Sequence, residues 1–283
     1  EGGKGVEVIA KIERKQAVEN LEELPHPATE LFEYQQIIDD SNMALLHFSR
    51  GCPFPCTYCS ARELMTKYGQ KIRYRSVDST IEEIKITFDK YEIRPSTNLV
   101  ISDDLFSINK NWLDDFLPRY EKEIGQPFIA NIRANVTNEE YFKRLAGAGC
   151  KFVLMSVESG NDYIRNDVMK RGITRKKMFD AFEWAHKSGV QTNANAIVGL
   201  PFETPAMIED SISTLAQLDA TEYGINIFYP YKGTVLRQVC EENGFMPDTL
   251  GLEANDLSGV KERKESILNL PTITKDEILN YAQ

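Results

Sequence analysis

Beyond residue 40 the chain keeps one rhythm. A short apolar run is followed by a longer stretch in which apolar residues recur every three or four positions. The first pattern reads as a buried strand and the second as an amphipathic helix. Strands are predicted at 43–49, 98–102, 127–133, 151–157, 191–199 and 222–229. Helices are predicted at 77–92, 111–124, 138–149, 174–189, 204–219 and 234–244. Local signals agree with this parse. Asp78 or Ser79 caps the first helix, Gly149 stops the third, and Pro205 sits in the first turn of the fifth. Pro118 must sit early in its helix or kink it. The first forty residues read differently, with a strand-like piece at 6–12 and a connecting segment punctuated by Pro25 and Pro27.

Strict alternation of apolar strands and amphipathic helices predicts an α/β fold with a parallel sheet covered by helices. Periodicity leaves a doubly wound sheet and a barrel both open. In either, ligands bind where the strands end. Here every strand ends in polar or glycine-rich sequence: the cysteine-rich loop, "SDD" at 102–104, "RAN" at 133–135, "ESG" at 158–160, "GLPFET" at 199–204 and "YPYKGT" at 229–234.

Charge and cysteine usage narrow the field. The 283 residues carry a formal net charge of -10, which disfavours nucleic acid as a partner. No apolar run has the length of a membrane span, and no signal peptide opens the chain. Five cysteines in a chain too large to need staples point to a reducing, cytoplasmic setting and to ligand thiols. The chain opens on Glu1 rather than methionine, as a piece of a longer protein would.

Three of the five cysteines, Cys52, Cys56 and Cys59, fall within "SRGCPFPCTYCSA" at 49–61. Three thiolates on one short loop suit zinc or an iron–sulfur cluster. Structural zinc takes four ligands. The nearest other donor is His47, inside the first strand, while Cys150 and Cys240 belong to other units. Three cysteines on a cubane of four irons leave one iron open for a cofactor. Pro53 and Pro55 stiffen the loop, and Tyr58 stands just before the last cysteine, where it can lean on a flat ring.

A Cys-x3-Cys-x2-Cys loop with an aromatic before its last cysteine resembles the signature of the radical S-adenosylmethionine (SAM) enzymes. The resemblance runs from Met43 to Met246. It implies a partial six-unit (β/α) barrel of the TIM type, with helices outside. It also implies a 4Fe–4S cluster on Cys52, Cys56 and Cys59, whose open iron chelates SAM. Reductive cleavage of SAM then gives a 5′-deoxyadenosyl radical that abstracts hydrogen from a substrate. "LEELPHP", "ISDDLF", "SVESG", "IVGLPFET" and "YPYKGT" are similar to the branch that holds methylthiotransferases, coproporphyrinogen oxidases and cobalamin-binding members. In that frame residues 1–40 are a linker or remnant of an upstream, cobalamin-binding domain, 41–246 the barrel and 247–283 a C-terminal helical extension.

The resemblance also implies roles. Tyr58 meets the adenine. Asp103 and Asp104 approach the SAM amino group. Glu158 and Ser159 contact the ribose or the methionine end, and Arg133 reaches a carboxylate. Ile197 and Gly199 flank the adenine from the fifth strand. Asn195 stands where many members have glycine, and Lys232 where relatives often have proline. An electron donor such as flavodoxin or ferredoxin is implied, with a small-molecule or peptide substrate. Methylthiolation is disfavoured, because no second three-cysteine motif lies upstream. Blander readings stand beside these. The cysteines fit a zinc knuckle in a non-catalytic iron–sulfur or zinc protein, and Asp103–Asp104 fit a turn or helix cap. Glu158 and Arg133 fit ordinary ion pairs, and Tyr229 and Tyr231 rim packing. Cys150 and Cys240 read as packed thiols, His186 as helix-terminal chemistry, and "KERKE" at 261–265 as a solvated helix face.

Overall fold

The computed structural model describes residues 17–69, 71–106, 108–247 and 265–283. Helix α1 (Tyr34–Ser41) leads into strand β1 (Met43–Leu46). A two-residue antiparallel ladder follows, β2 (Ser49–Arg50) against β3 (Arg73–Tyr74), bracketing α2 (Ser60–Tyr68). Helix and strand then alternate: α3 (Val77–Lys90), β4 (Asn98–Ile101), α4 (Lys110–Glu123), β5 (Phe128–Asn131), α5 (Glu139–Gly147), β6 (Cys150–Leu154), α6 (Arg175–Lys187), β7 (Gln191–Val198), α7 (Pro205–Gln217), β8 (Glu222–Ile227) and α8 (Val235–Glu242). Helix α9 (Lys275–Ala282) follows near the end of the chain. The main sheet runs β1-β4-β5-β6-β7-β8, every pair parallel.

Two observations decide between the architectures that periodicity leaves open. The helices share one face. Ala44, Leu46, Leu99, Ile101, Phe128 and Ala130 from the strands pack with Ile81, Phe116, Phe142 and Phe182 from α3 to α6. The opposite face of β7 presents Asn193, Asn195 and Ile197, half-buried, while Thr192, Ala194, Ala196 and Val198 are buried against helices. The second observation is long-range. The Thr57 carbonyl, in the cysteine loop that follows β1 and β2, accepts from the Leu236 N–H, in the first turn of α8 after β8, at 2.9 Å. In a flat sheet these two edges would stand about 24 Å apart at the usual strand spacing. The sheet therefore curls into the partial barrel expected. β1 and β8 do not pair with each other, so the wall stays open between them.

The free edge of β1 is sealed locally. The Tyr34 hydroxyl donates to the Leu45 carbonyl at 2.9 Å and accepts from the Leu45 N–H at 2.8 Å. A strand seeking a partner there finds both groups taken. Helix α9 covers the other edge. Its Ile278 is fully buried against Val198 of β7, Ile227 of β8 and Ile208 of α7.

The segment expected to be a linker is fastened in its described part. Arg75 donates to the carbonyls of Leu24 and Pro25, at 3.2 and 2.8 Å. His26 lies 3.1 Å from the Glu83 carboxylate, and Lys90 pairs with Glu30 at 3.2 Å. These contacts lay residues 24–30 along α3. The expected strand at 6–12 and most of "KERKE" lie outside the described residues. In the described part of the expected helical extension, 265–274 is non-helical and α9 is helix. Pro118 lies inside α4 rather than at its start. No helix among the described residues is long and apolar enough to cross a membrane.

Candidate functional site

The cysteine loop is built from its root. Asp103, at the end of β4, accepts from the Phe48 N–H at 2.7 Å through Oδ1 and from the Ser49 hydroxyl at 2.6 Å through Oδ2. Asp104 accepts from the Gly51 N–H at 3.1 Å. Asp103 is buried, and burial raises its carboxyl pKa against the pull of those two bonds. The Asp103 side chain is thus engaged with the loop root. Asp103→Ala would leave a buried N–H and a buried hydroxyl without acceptors, and should cost about 2–3 kcal/mol in urea unfolding. Asp103→Asn, which keeps an acceptor oxygen, should cost less.

The middle of the loop is fastened at Thr57. Its N–H donates to the Met169 carbonyl at 3.1 Å and its hydroxyl to the Val168 carbonyl at 2.7 Å. Cys59 is the residue that starts α2, and Arg62 of that helix donates to the Pro55 carbonyl at 3.0 Å. All five cysteines are free; Cys56 is buried, and Cys52 and Cys59 are half-buried. Burial raises the thiol pKa of Cys52 and Cys59.

Arg133 approaches the loop from β5. Its Nη1 donates to Cys56 Sγ at 3.3 Å, and its guanidinium stacks 3.9 Å from the Phe54 ring. The guanidinium is thus held against the Cys56 sulfur and the Phe54 ring together. Nη2 donates to the Arg171 carbonyl.

Next to this pair, three side chains from distant parts of the chain meet. The Tyr58 hydroxyl donates to Glu158 Oε1 at 3.0 Å. Arg171 Nη1 donates to the Tyr58 oxygen at 2.7 Å and to Glu158 Oε1 at 3.3 Å, and Nη2 donates to the Ser156 carbonyl at 2.7 Å. Burial, and then the Glu158 charge, keep Tyr58 protonated. Burial opposes the Arg171 charge, but Tyr58 and Glu158 more than offset it, so Arg171 stays cationic. Glu158 adopts φ 67°, a left-handed conformation uncommon outside glycine. Its N–H and carbonyl bond the Asn195 carbonyl and Ile197 N–H of β7, at 2.9 and 2.8 Å. A cavity of about 320 Å³ opens beside this group, lined by Tyr58, Glu158, Asn195, Ile197, Asn226 and Tyr229.

Two expected site residues face elsewhere. Ser159 is fully buried, its hydroxyl 3.2 Å from that of Ser211 on α7. Gly199, at φ +78°, lies under Ile278 of α9 and donates its N–H to Glu203 Oε2 at 2.7 Å. Arg171 and Glu203 were not singled out from the sequence. Neither stands in a pattern of period or spacing; only the strand-end position of "GLPFET" pointed near Glu203.

Glu203 carries a pH signature. Oε2 accepts from the Gly199 and Leu200 N–H groups, while Oε1 is buried without a hydrogen-bond partner among the described residues. Burial pushes its carboxyl from 4.5 up to about 7. The folded chain then holds a proton that the unfolded chain has released. The associated stability is present below the unfolded value and is lost as pH rises through about 7, roughly 3 kcal/mol in all. Urea unfolding of Glu203→Gln should therefore change less between pH 5 and pH 8 than that of the unsubstituted chain. An unaltered pH dependence would show that Glu203 is not the source.

The model of the radical SAM superfamily matches residues 46–215, more than half of the chain. The chain belongs to the radical SAM superfamily. An uncharacterized methyltransferase of Pyrococcus horikoshii is 30% identical over 231 residues, covering 81% of this radical SAM chain and 49% of that protein. The cytidylyl-2-hydroxyethylphosphonate methyltransferase of Streptomyces wedmorensis is 23% identical over 245 residues, 84% of this chain and 43% of the relative. The radical SAM methyltransferase TsrM from Kitasatospora setae, solved with tryptophan and a SAM analogue, matches at TM-score 0.62 and 17% identity. It covers 82% of this chain and 43% of its own. That likeness is one of fold. The chain spans about half the length, or less, of these relatives.

Radical SAM membership implies a 4Fe–4S cluster and SAM, and the residues fit both. A single ion needs its ligands gathered at about 2.3 Å around one point. Among the described residues no three of His, Cys, Asp or Glu are so gathered. A cubane takes each thiolate on a separate iron, and three free cysteines on one loop suit it. The neighbouring cavity offers a phenol, carboxamides, an acid and apolar walls, a donor set suited to a nucleoside with a charged tail.

Proposed function

We propose that this chain is the catalytic barrel of a radical SAM enzyme, and that the longer protein transfers a methyl group with cobalamin as a further cofactor. When bound, the cluster and SAM supply a one-electron cleavage of the sulfonium that yields methionine and a 5′-deoxyadenosyl radical. The observation that carries the reading is the loop itself: three free thiols at the carboxyl end of β1, with Arg133 on Cys56 and the Tyr58–Glu158–Arg171 group beside them.

Within that reading the chain's own residues bind, orient and shield. Cys52, Cys56 and Cys59 hold the cluster, and loading them releases their thiol protons. Asp103 and Asp104 fix the loop at its root. Tyr58, Asn195 and Ile197 hold the nucleoside, and Glu158 accepts from its ribose hydroxyls. Ser159 and Gly199 shape the site through α7 and α9 rather than by touching the ligand. The methyltransferase relatives and cobalamin-bound structural neighbours support the cobalamin part. The segment before β1 then joins the barrel to a cobalamin domain. Residues 41–246 are the barrel, and α9 belongs to the C-terminal extension. The protein works in the cytoplasm on a small molecule or a peptide, with a flavodoxin or ferredoxin as electron donor. The test is anaerobic reconstitution with iron and sulfide, then SAM and dithionite, with 5′-deoxyadenosine read by mass spectrometry. Its formation supports the reading. Reduced cluster without SAM cleavage in the full-length protein would favour an electron carrier instead.

A further inference from the structure

The surface that flanks the cysteine loop has the wrong charge for this chain. The protein carries 43 acidic and 33 basic residues. Yet Arg50, Arg62, Lys67, Lys71 and Arg73 gather between β2, α2 and β3, against Glu63 and the neighbouring Asp104. Lys67 pairs with Glu63 at 2.9 Å. The other four have no carboxylate partner among the described residues. Arg50, Arg62 and Arg73 donate to backbone carbonyls, and Lys71 is exposed.

Arg50 and Arg73 also stand directly opposite each other in the β2–β3 ladder. Like charges so placed are destabilising, and here no acid relieves them. Local stability therefore does not account for the pair. Between them α2 turns two large apolar side chains to solvent, Leu64 at 54% and Tyr68 at 45% exposure. An apolar centre with five basic residues around it, against Glu63 and Asp104, is the make-up of a docking face rather than of bare surface. It begins at Cys59, the last residue of the cysteine loop.

We propose that this face docks an acidic one-electron carrier protein. The inference rests on the proposed function, in which the cluster must take one electron that the carrier gives up. A chain of net charge -10 repels an acidic partner over most of its surface. The collar around α2 attracts it where the electron is needed. This is steering by location, and its signature is a steep dependence on ionic strength. Nucleic acid, another part of the longer protein, or a second copy of the chain are the other occupants the face could take.

The experiment uses the reconstituted chain and a bacterial flavodoxin as probe. Lys67→Gln/Lys71→Glu is the variant, because neither residue touches the cysteines or the cavity. Flavodoxin binding is followed by flavin fluorescence, and 5′-deoxyadenosine formation is driven in parallel by reduced flavodoxin and by dithionite. The variant should bind flavodoxin about tenfold or more weakly and lose flavodoxin-driven turnover in proportion, while dithionite-driven turnover stays within about twofold. The binding of the unsubstituted chain should weaken as salt is added, and that of the variant much less. Equal flavodoxin affinity in the two chains overturns the proposal, as does loss of dithionite-driven turnover to the same extent. Tight binding without any SAM cleavage, repeated in the full-length protein, would overturn the proposed function and leave the docking face standing. Flavodoxin excluded from the unsubstituted chain by self-association would assign the face to a second copy.

Discussion

Cys56→Ala should reconstitute with no intact cluster and form no detectable 5′-deoxyadenosine, while keeping its fold. Cys56 is the one buried cysteine of the three, and the one Arg133 touches. Its sulfur is a small apolar group in packing terms, so removing it costs little of the core. Its loss as a ligand is a different matter. Two thiolates cannot hold a cubane against the loop, and Arg133 is left facing a methyl group. Visible absorption of the reconstituted protein reads the cluster, mass spectrometry the nucleoside, and circular dichroism the fold. Wild-type cluster content in the variant would show that Cys56 is not a ligand and would reopen the assignment of all three thiols.

Gly160→Ala is expected to cost about 3 kcal/mol or more and to damage the cofactor cavity with it. A Cβ at Gly160 would lie 2.4 Å from the Asp210 carbonyl oxygen, 2.4 Å from Thr214 Oγ1 and 2.7 Å from Ser211 Cα. Two of these are backbone atoms of α7, so no rotamer change can relieve the overlap. The helix must move away, and overpacking of this kind sits at the upper end of its usual range. Gly160 also follows Glu158 by two residues. A shift there pulls Glu158 from Tyr58 and Arg171. Urea unfolding checks the stability, and the KM for SAM should rise with it. A change below about 1 kcal/mol would mean that α7 yields more easily than its packing indicates.

Much of this architecture could be read from periodicity, because each strand buries one face and each helix one stripe. All six sheet strands and the six helices predicted with them appear. The predicted strand at 43–49 overran β1, since residues 47–49 remain extended while turning from the sheet into the ladder with β3. Curvature was not legible. It depends on Thr57 meeting Leu236, a contact between chain segments that no local spacing encodes. The cysteines were legible because cluster chemistry fixes their spacing. Arg171 was not. It acts through Tyr58, 113 positions away, and nothing beside it in sequence marks it. The resemblance placed Asp103 near the SAM amino group, with a turn or helix cap as the alternative. Its place at a strand end fixed its neighbourhood, but only the fold tells that its two oxygens turn back to Phe48 and Ser49.

Thr57 has a consequence for how this sequence can drift. Surface loops ordinarily absorb insertions and deletions, because little depends on their length. This one cannot. Thr57 is tied to Met169 and Val168 on one side and to Leu236 on the other, midway between thiols whose spacing is already fixed. One residue gained or lost between Cys52 and Cys59 would break the thiol spacing and the junction of the two barrel edges together. Change in length must fall on other loops, and a lineage that alters its substrate has to do so there.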